Sequence, residues 1–71
     1  MNIQRAIKTA MAANSFITRA GLRGVFHIEP TNSPDCCIIY AKDQPPCPRW
    51  EPNAEDLAAD DWEVTKGELI E

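Results

Sequence analysis

Residues 49–64 read Arg-Trp-Glu-Pro-Asn-Ala-Glu-Asp-Leu-Ala-Ala-Asp-Asp-Trp-Glu-Val, an acidic segment bracketed by Trp50 and Trp62, the two tryptophans of the chain. Asn53 predicts a helix that begins directly after it, because an N-cap asparagine side chain accepts hydrogen bonds from the free N–H groups of the first turn. Asp56 follows three residues later, where an acid can complete a capping box. The segment ends in alternating apolar and polar residues, which predict a half-buried strand containing Trp62.

The residues before this segment predict one helix and three strands. Apolar residues recur at helical spacing from residue 3 to residue 11, which predicts an amphipathic helix over Ile3–Ala13 with Asn2 as its cap. β-Branched and aromatic residues predict strands at Phe16–Arg19, Val25–Glu29 and Cys36–Lys42. The third strand is the most apolar, so we expect it to lie in the centre of the sheet.

Glycines and prolines mark the connections. Gly21 and Gly24 bracket a turn that makes the first two strands a hairpin. Three prolines within Asp43–Pro48 predict a rigid loop, since proline has no N–H for a strand ladder. Lys66–Glu71 is expected to be a frayed end. The element order predicts a single α+β domain over residues 1–71: a small antiparallel sheet of about four strands, an N-terminal amphipathic helix and a short C-terminal helix.

A chain of 71 residues buries only about 60% of its unfolded surface, so we expect a further source of stability. Cys36, Cys37 and Cys47 cannot all pair within one chain, and the cysteine and histidine spacing matches no usual zinc pattern. Free thiols in a reduced, cytoplasmic compartment and stabilisation by oligomerisation are therefore expected. No apolar run approaches the roughly 18 residues of a membrane span. Residues 1–28 are basic and free of acid, which leaves a transit peptide as an alternative to the helix.

The charge is unevenly divided along the chain. Residues 1–28 carry a charge of +4, residues 29–71 carry −8, and the net charge is −4. Two interpretations remain open: the basic part packs near the acidic part, within or between subunits, or its arginines line an anion site. The negative total argues against non-specific nucleic-acid binding.

The sequence shows no catalytic constellation. His27 is the single histidine, and we expect it to be a satisfied or exposed strand residue rather than a general base. Cysteines in an apolar strand are usually inert thiols. No G-x-S-x-G, P-loop or G-x-G-x-x-G motif occurs. The chain therefore reads as a binding protein that is not an enzyme and has no metal or cofactor.

The two tryptophans have different sequence contexts. Trp62, on an alternating strand, is expected in the core. Trp50 follows the proline loop and precedes a helix N-terminus, where its indole can stack on a base and the free N–H groups can take a phosphate. A core position for Trp50 is the alternative, and spacing alone leaves both open.

The segment Trp50–Val64 resembles the C-terminal signature of the Thoeris anti-defence two family, which comprises small phage proteins. The family pattern is roughly Trp-x-Pro-Ser-x-x-Asp-Leu-Leu-Ala-Glu-Asp-Trp-Glu-Val, and the spacing here matches throughout, with Asn53 in place of serine. The N-terminal part is similar too: a short amphipathic helix precedes a strand with Arg19. The family then has Gly-Trp, where this chain has Gly21 followed by Leu22.

This resemblance implies a function. Family members bind the nucleotide signal of the bacterial Thoeris system, a cyclised ADP-ribose isomer, and hold it without cleavage in pockets between subunits of a homo-oligomer. Tryptophans of the Gly-Trp and Trp-x-Pro positions help to clamp the base. Trp50 occupies the second position here, while Leu22 replaces the first, so one stacking surface is missing.

The leading hypothesis is a non-enzymatic phage anti-defence protein that sequesters a cyclic nucleotide, as a dimer or tetramer, in the cytoplasm of the infected host cell. A protein-binding inhibitor of a host defence protein, acting through the acidic helix, is the alternative. Neither a nucleic acid nor a membrane is an expected partner. The candidate ligand residues are Trp50 for the base, Arg19, Arg23 and Arg49 for the pyrophosphate, and Asn53 and Asp56 for ribose or base edges.

Overall fold

The structure, a computed structural model, describes residues 1–67. Its elements are α1 (Ile3–Ala12), β1 (Phe16–Arg19), β2 (Phe26–Glu29), β3 (Ile38–Ala41), α2 (Ala54–Ala58) and β4 (Trp62–Thr65). The predicted α+β class, with an N-terminal helix, a four-stranded antiparallel sheet and a short C-terminal helix, is confirmed. From residue 68 onward, the predicted frayed end lies outside the described residues.

Helix α1 begins and ends on local signals. The Asn2 side chain accepts a hydrogen bond of 2.8 Å from the backbone N–H of Arg5, as the sequence predicts. At the other end the Ser15 N–H donates to the Ala10 carbonyl at 2.8 Å, which closes the last turn. Ala6 and Ala10 are fully buried, because their small side chains let the helix lie close to the sheet.

The sheet has the strand order β3-β2-β1-β4, with every neighbouring pair antiparallel. The predicted central position of the third strand is therefore wrong: β1 and β2 are central, and β3 is an edge. Its apolar residues are sheltered by the proline loop instead of by another strand. Ile39 and Cys47 exchange two N–H···O bonds, each of 3.0 Å, along the outer side of β3.

Strand β3 is also shorter than predicted, because Cys36 has a φ of 59° and so lies outside extended geometry. No disulfide links the three cysteines within residues 1–67: Cys36 and Cys47 are exposed, and Cys37 is half-buried. The thiol state in solution stays a prediction.

One face of the sheet packs against α1 and forms the core. Ile17 of β1 lies opposite Ile28 of β2 and opposite Val64 of β4. Since side chains alternate between the two faces of a strand, these residues point together towards the helix. The fully buried core consists of Ala6, Ala10, Ile17, Ile28 and Trp62.

The opposite face carries three aromatic rings, Phe16, His27 and Tyr40, here called the aromatic cluster. The Phe16 and His27 ring centroids are 4.6 Å apart, and His27 stacks on Tyr40 at 5.1 Å. Gly67 lies against this cluster: a Cβ added to it would be 2.8 Å from a ring carbon of Phe16. Phe16, Tyr40 and Gly67 therefore shield the His27 ring from solvent.

His27 departs from the sequence prediction of a satisfied or exposed residue. Its exposure is only 5%, and its Nδ1 atom has no hydrogen-bond partner among the described residues. Burial lowers the pKa of the imidazole, although the carboxylate of Glu29 opposes this effect. The neighbouring aromatic rings bury His27 but offer no hydrogen-bond acceptor to Nδ1. Sequence spacing alone does not show which rings will surround the histidine.

Candidate functional site

Helix α2 is fixed by the capping box that the sequence predicts. The Asp56 N–H donates to the Asn53 side chain at 2.8 Å, and the Asn53 N–H donates to the Asp56 carboxylate at 3.3 Å. The indole N–H of Trp62 donates to the Asp56 carbonyl at 2.8 Å, which ties the helix to the sheet. The free helix end expected to take a phosphate is thus already occupied by an amide and a carboxylate, and the first-turn acids Glu55 and Asp56 disfavour an anion there.

The two tryptophans contact each other. Their ring centroids are 5.8 Å apart at an interplanar angle of 77°, an edge-to-face packing. Trp62 is 1% exposed, so its predicted core position is confirmed. Trp50 packs against this core but remains half-buried, and its backbone N–H donates to the Cys37 carbonyl at 2.8 Å. Trp50 therefore packs against the core while part of its surface remains exposed to solvent.

Arg19 joins the tryptophans to the acids of the C-terminal segment. Its Nε donates to the Asp61 carboxylate, and its Nη1 lies 3.2 Å from Asp56 Oδ1. The guanidinium carbon is 5.7 Å from the centroid of the Trp62 ring. The hydrogen bond from Arg19 lowers the pKa of Asp61, so this carboxylate stays ionised at neutral pH.

The other two arginines lie in different surroundings. Arg23 Nε is 3.1 Å from Glu63 Oε1, and its Nη2 donates to the Val64 carbonyl at 3.1 Å. Arg49 is exposed and belongs to none of the ion pairs among residues 1–67; its backbone N–H donates to the Asp35 carbonyl at 2.8 Å. The structure thus supports charge complementarity for the basic N-terminal part, since Arg19 and Arg23 both pair with C-terminal acids.

The predicted site residues are only partly brought together. Arg19, Asn53, Asp56 and Trp50 form one connected group through Trp62. We call this group, together with Trp62 and the Arg19 partner Asp61, the tryptophan site. Arg23 points elsewhere, to the β4 backbone.

Sequence reasoning missed two members of the tryptophan site. The Trp62 ring contacts both the Trp50 ring and the Arg19 guanidinium, and Asp61 binds the same arginine. The two acids immediately before Trp62, Asp60 and Asp61, indicated that a basic side chain could bind there. Which basic residue does so depends on the pairing of β4 with β1. Leu22 follows β1 at this end of the sheet, where its N–H donates to the Arg19 carbonyl at 3.0 Å, and it is 39% exposed.

The model of the Thoeris anti-defense 2-like (Tad2-like) domain family matches residues 1–65. The chain belongs to this family. The resemblance predicted from residues 50–64 is thereby confirmed, and the match covers α1, the whole sheet and the tryptophan site. Membership in the Tad2-like family supports a phage role against the Thoeris defence system. Neither the curated proteins nor the solved structures give a significant match.

The helices of this Tad2-like domain are short. Within residues 1–67, neither α1 nor α2 has the length and apolar content that crossing a membrane requires.

Proposed function

We propose that this Tad2-like protein counters Thoeris defence by binding a cyclic nucleotide signal, a cyclic ADP-ribose isomer or a related cyclic oligonucleotide, and holding it intact. The observation that supports this most is the half-open Trp50 ring. Its backbone N–H is hydrogen-bonded to Cys37 and its ring packs edge-to-face with Trp62, so the ring is a pre-positioned stacking surface. Stacking of a base on such a ring contributes about 1–3 kcal/mol.

The charges near the tryptophan site suggest how the pyrophosphate would be bound. Arg49 adjoins Trp50 in the chain and is outside the described ion pairs, so it is the first cation available to a phosphate. Arg19 and Arg23 would have to exchange a carboxylate for the ligand, which makes them weaker contributors. Asn53 and Asp56 retain oxygen lone pairs beyond the capping box, and these can accept from ribose hydroxyls.

Capture without cleavage is part of the proposal. The acids of the tryptophan site, Asp56 and Asp61, both bind Arg19, and the lowered pKa of Asp61 makes it a poor proton donor at neutral pH. A ligand released from the protein should therefore be recovered unchanged. Mass spectrometry of the released nucleotide checks this, and a hydrolysed product would contradict sequestration.

We further propose that a second subunit completes the pocket, in a homodimer or homotetramer. Leu57 on α2 is 54% exposed, and Leu22 is exposed in the turn after β1. Exposed apolar side chains such as these are suited to burial by a second copy. They would also supply the stability that so short a chain lacks.

The decisive experiment is titration calorimetry with a cyclic ADP-ribose isomer and with cyclic dinucleotides. Trp50→Ala should weaken binding about 5- to 150-fold, the equivalent of the stacking energy, while Trp50→Phe should keep most of the affinity. Leu22→Trp should tighten binding by restoring a second stacking surface. Val25→Ala, a change at an exposed apolar residue assigned neither a ligand contact nor a place in the subunit contact, is the matched control.

Thermal melting of the same variants separates the two roles of Trp50. A variant that keeps its affinity but loses about 3–5 kcal/mol of stability would make Trp50 a purely structural core residue. A Leu22→Trp protein that binds neither ligand class would argue against the nucleotide.

An inhibitor that binds a Thoeris protein is the second candidate, and α2 is the observation that favours it. None of its five residues is buried. Its Leu57 is exposed beside Glu55, which lies outside the described ion pairs. Leu57→Asp should then abolish co-purification with the defence protein.

A further inference from the structure

A groove of about 460 Å³ lies between the C-terminal end of α1 and the loop that follows β2. Its lining includes Met11 and Asn14 from the end of α1, Phe16 at the start of β1, Glu29 at the end of β2, and Asn32 in the loop. We call it the α1–β2 groove. None of the residues of the tryptophan site lines it, so it is a separate feature of the surface.

The electrostatics of this groove favour a cation. Within residues 1–67, Glu29 is the one ionisable side chain of the lining, and no lysine or arginine contributes to it. Helix α1 ends at the groove with the negative end of its dipole, and its last turn holds no basic residue to compensate that charge. A phosphate would be repelled here, whereas an ammonium group would be attracted.

The carboxylate is held in place rather than free to rotate. The Tyr40 hydroxyl donates to Glu29 Oε1 at 2.7 Å, a bond that also raises the pKa of Tyr40. Because this bond engages one oxygen, the other oxygen keeps lone pairs for a donor. Fixing a carboxylate in advance reduces the entropy that a ligand must overcome on binding.

Phe16 gives the groove an aromatic wall of defined orientation. Its ring packs edge-on against His27 at 4.6 Å and against Tyr40 at 5.7 Å, so the aromatic cluster keeps it in place. A cation within about 6 Å of an aromatic ring is attracted by the ring quadrupole. Asn14 and Asn32 also line the groove, and their side-chain amides can supply neutral acceptors.

From these contacts we propose that the α1–β2 groove binds a primary alkylammonium group, with Glu29 as its counter-charge and Phe16 as its wall. Two sources supply this chemistry: a free diamine or polyamine, or a lysine side chain from a second copy of this chain. The site is independent of the nucleotide proposal, since it shares no residue with the tryptophan site.

Titration of the full chain with putrescine and spermidine, at low salt and pH 7, tests the proposal. Amide chemical shifts should move at Asn14, Phe16 and Asn32, and Glu29→Gln should weaken binding at least tenfold. Glu55→Gln makes the same charge change on α2 and should leave binding unaltered. Equal weakening by both variants would show non-specific attraction to an acidic protein and would overturn the proposal.

A gain-of-binding variant guards against a Glu29→Gln protein that fails to fold. Asn32→Asp places a second carboxylate on the exposed loop and should tighten putrescine binding several-fold. Unchanged or weaker binding in this variant would contradict the assignment.

The two sources are separated by sedimentation. If a lysine of a second copy fills the groove, Glu29→Gln lowers the assembly state and putrescine competes with self-association. If the ligand is a free amine, putrescine binds without any change in mass. No diamine binding together with an unaltered assembly of Glu29→Gln would rule out both.

Discussion

Arg19 shows how one side chain connects three parts of this molecule. It lies on the central strand β1, bonds to Asp61 before β4 and to Asp56 in α2, and covers the ring of Trp62. Guanidinium geometry suits this role because it binds carboxylates through several donors and stacks on aromatic rings, which an ammonium group does less well. The sequence indicated that Arg19 and Asp56 belong to one site but not that they bind each other.

Arg19→Lys should therefore lower the melting temperature more than Arg23→Lys. Arg23 has one carboxylate partner, and its side chain is 58% exposed, so water screens its ion pair. Thermal melting of both variants at the same ionic strength is the measurement. Equal shifts would mean that the contact with the Trp62 ring and the second carboxylate add nothing.

His27 should make stability depend on pH below about 6.5, the ordinary imidazole pKa. Its pKa is lowered in the folded chain, so between the folded and unfolded values the unfolded state binds more protons. The free energy of unfolding consequently falls as pH decreases through this window and is fully retained above it. The groups around the imidazole are Glu29, Tyr40, Phe16 and Gly67. The carboxylate of Glu29 opposes the lowering of the His27 pKa and so reduces the pH dependence.

Urea denaturation at pH 7.5 and 5.5 measures this dependence, with His27→Phe as the non-titrating control. The control should lose the slope while keeping an aromatic ring in the cluster. A wild-type midpoint that rises on acidification would contradict the assigned sign.

Gly67 and Gly21 form a matched pair for backbone strain. Both have positive φ, 86° and 83° respectively, but a Cβ meets Phe16 only at Gly67 and finds open space at Gly21. Gly21→Ala should cost about 1–2 kcal/mol for the left-handed backbone alone. Gly67→Ala should cost about 1–3 kcal/mol more, because the methyl group displaces a packed ring. Chemical denaturation of both variants compares the two costs, and equal losses would show that Gly67 is not in close contact with the cluster.

Among the elements, those set by neighbouring residues were predictable and those set by distant ones were not. The caps Asn2 and Asn53 act within four residues, so composition and spacing located both helices. The edge position of β3 depends on Cys47 returning to pair with Ile39, and strand spacing contains no signal for that. Burial of His27 likewise depends on Phe16 and Tyr40, whose rings come from two other strands.

The capping box of α2 should be a measurable part of the stability. Asn53→Ala removes the acceptor for the Asp56 N–H and should cost about 0.5–2 kcal/mol. Asn53→Ser, which preserves a capping oxygen, should cost little. Urea denaturation of the three proteins makes the comparison. If serine is no better than alanine, the cap contributes nothing to the folded state.

At the scale of the whole molecule, the tryptophan site forms only when β4 pairs with β1. Arg19 lies opposite Trp62 in that pairing, although the two residues are far apart in the chain. The residue types of the site were therefore predictable from the sequence, whereas the pairing of Arg19 with Asp61 and the separate position of Arg23 required the folded chain.

We expect the protein to be a homo-oligomer in solution. The chain has a mass of 7.9 kDa, and residues 1–67 fully bury only a few large side chains, so association should add to its stability. Sedimentation equilibrium at micromolar concentration should give at least twice the chain mass. A single species of 7.9 kDa would contradict the expectation.

The proline loop beside β3 also limits the addition of strands from other molecules at high concentration. A strand from another molecule would need the N–H and carbonyl of Ile39, which Cys47 already holds, and the prolines next to Cys47 have no N–H to offer. Open-ended addition of strands, the route to amyloid fibres, is therefore blocked along this rim. Capture of a small signal is stoichiometric, one site for each molecule removed, so the proposed function demands abundant protein. Blocked strand addition along β3 therefore suits a protein that the proposed function requires in amounts matching the signal.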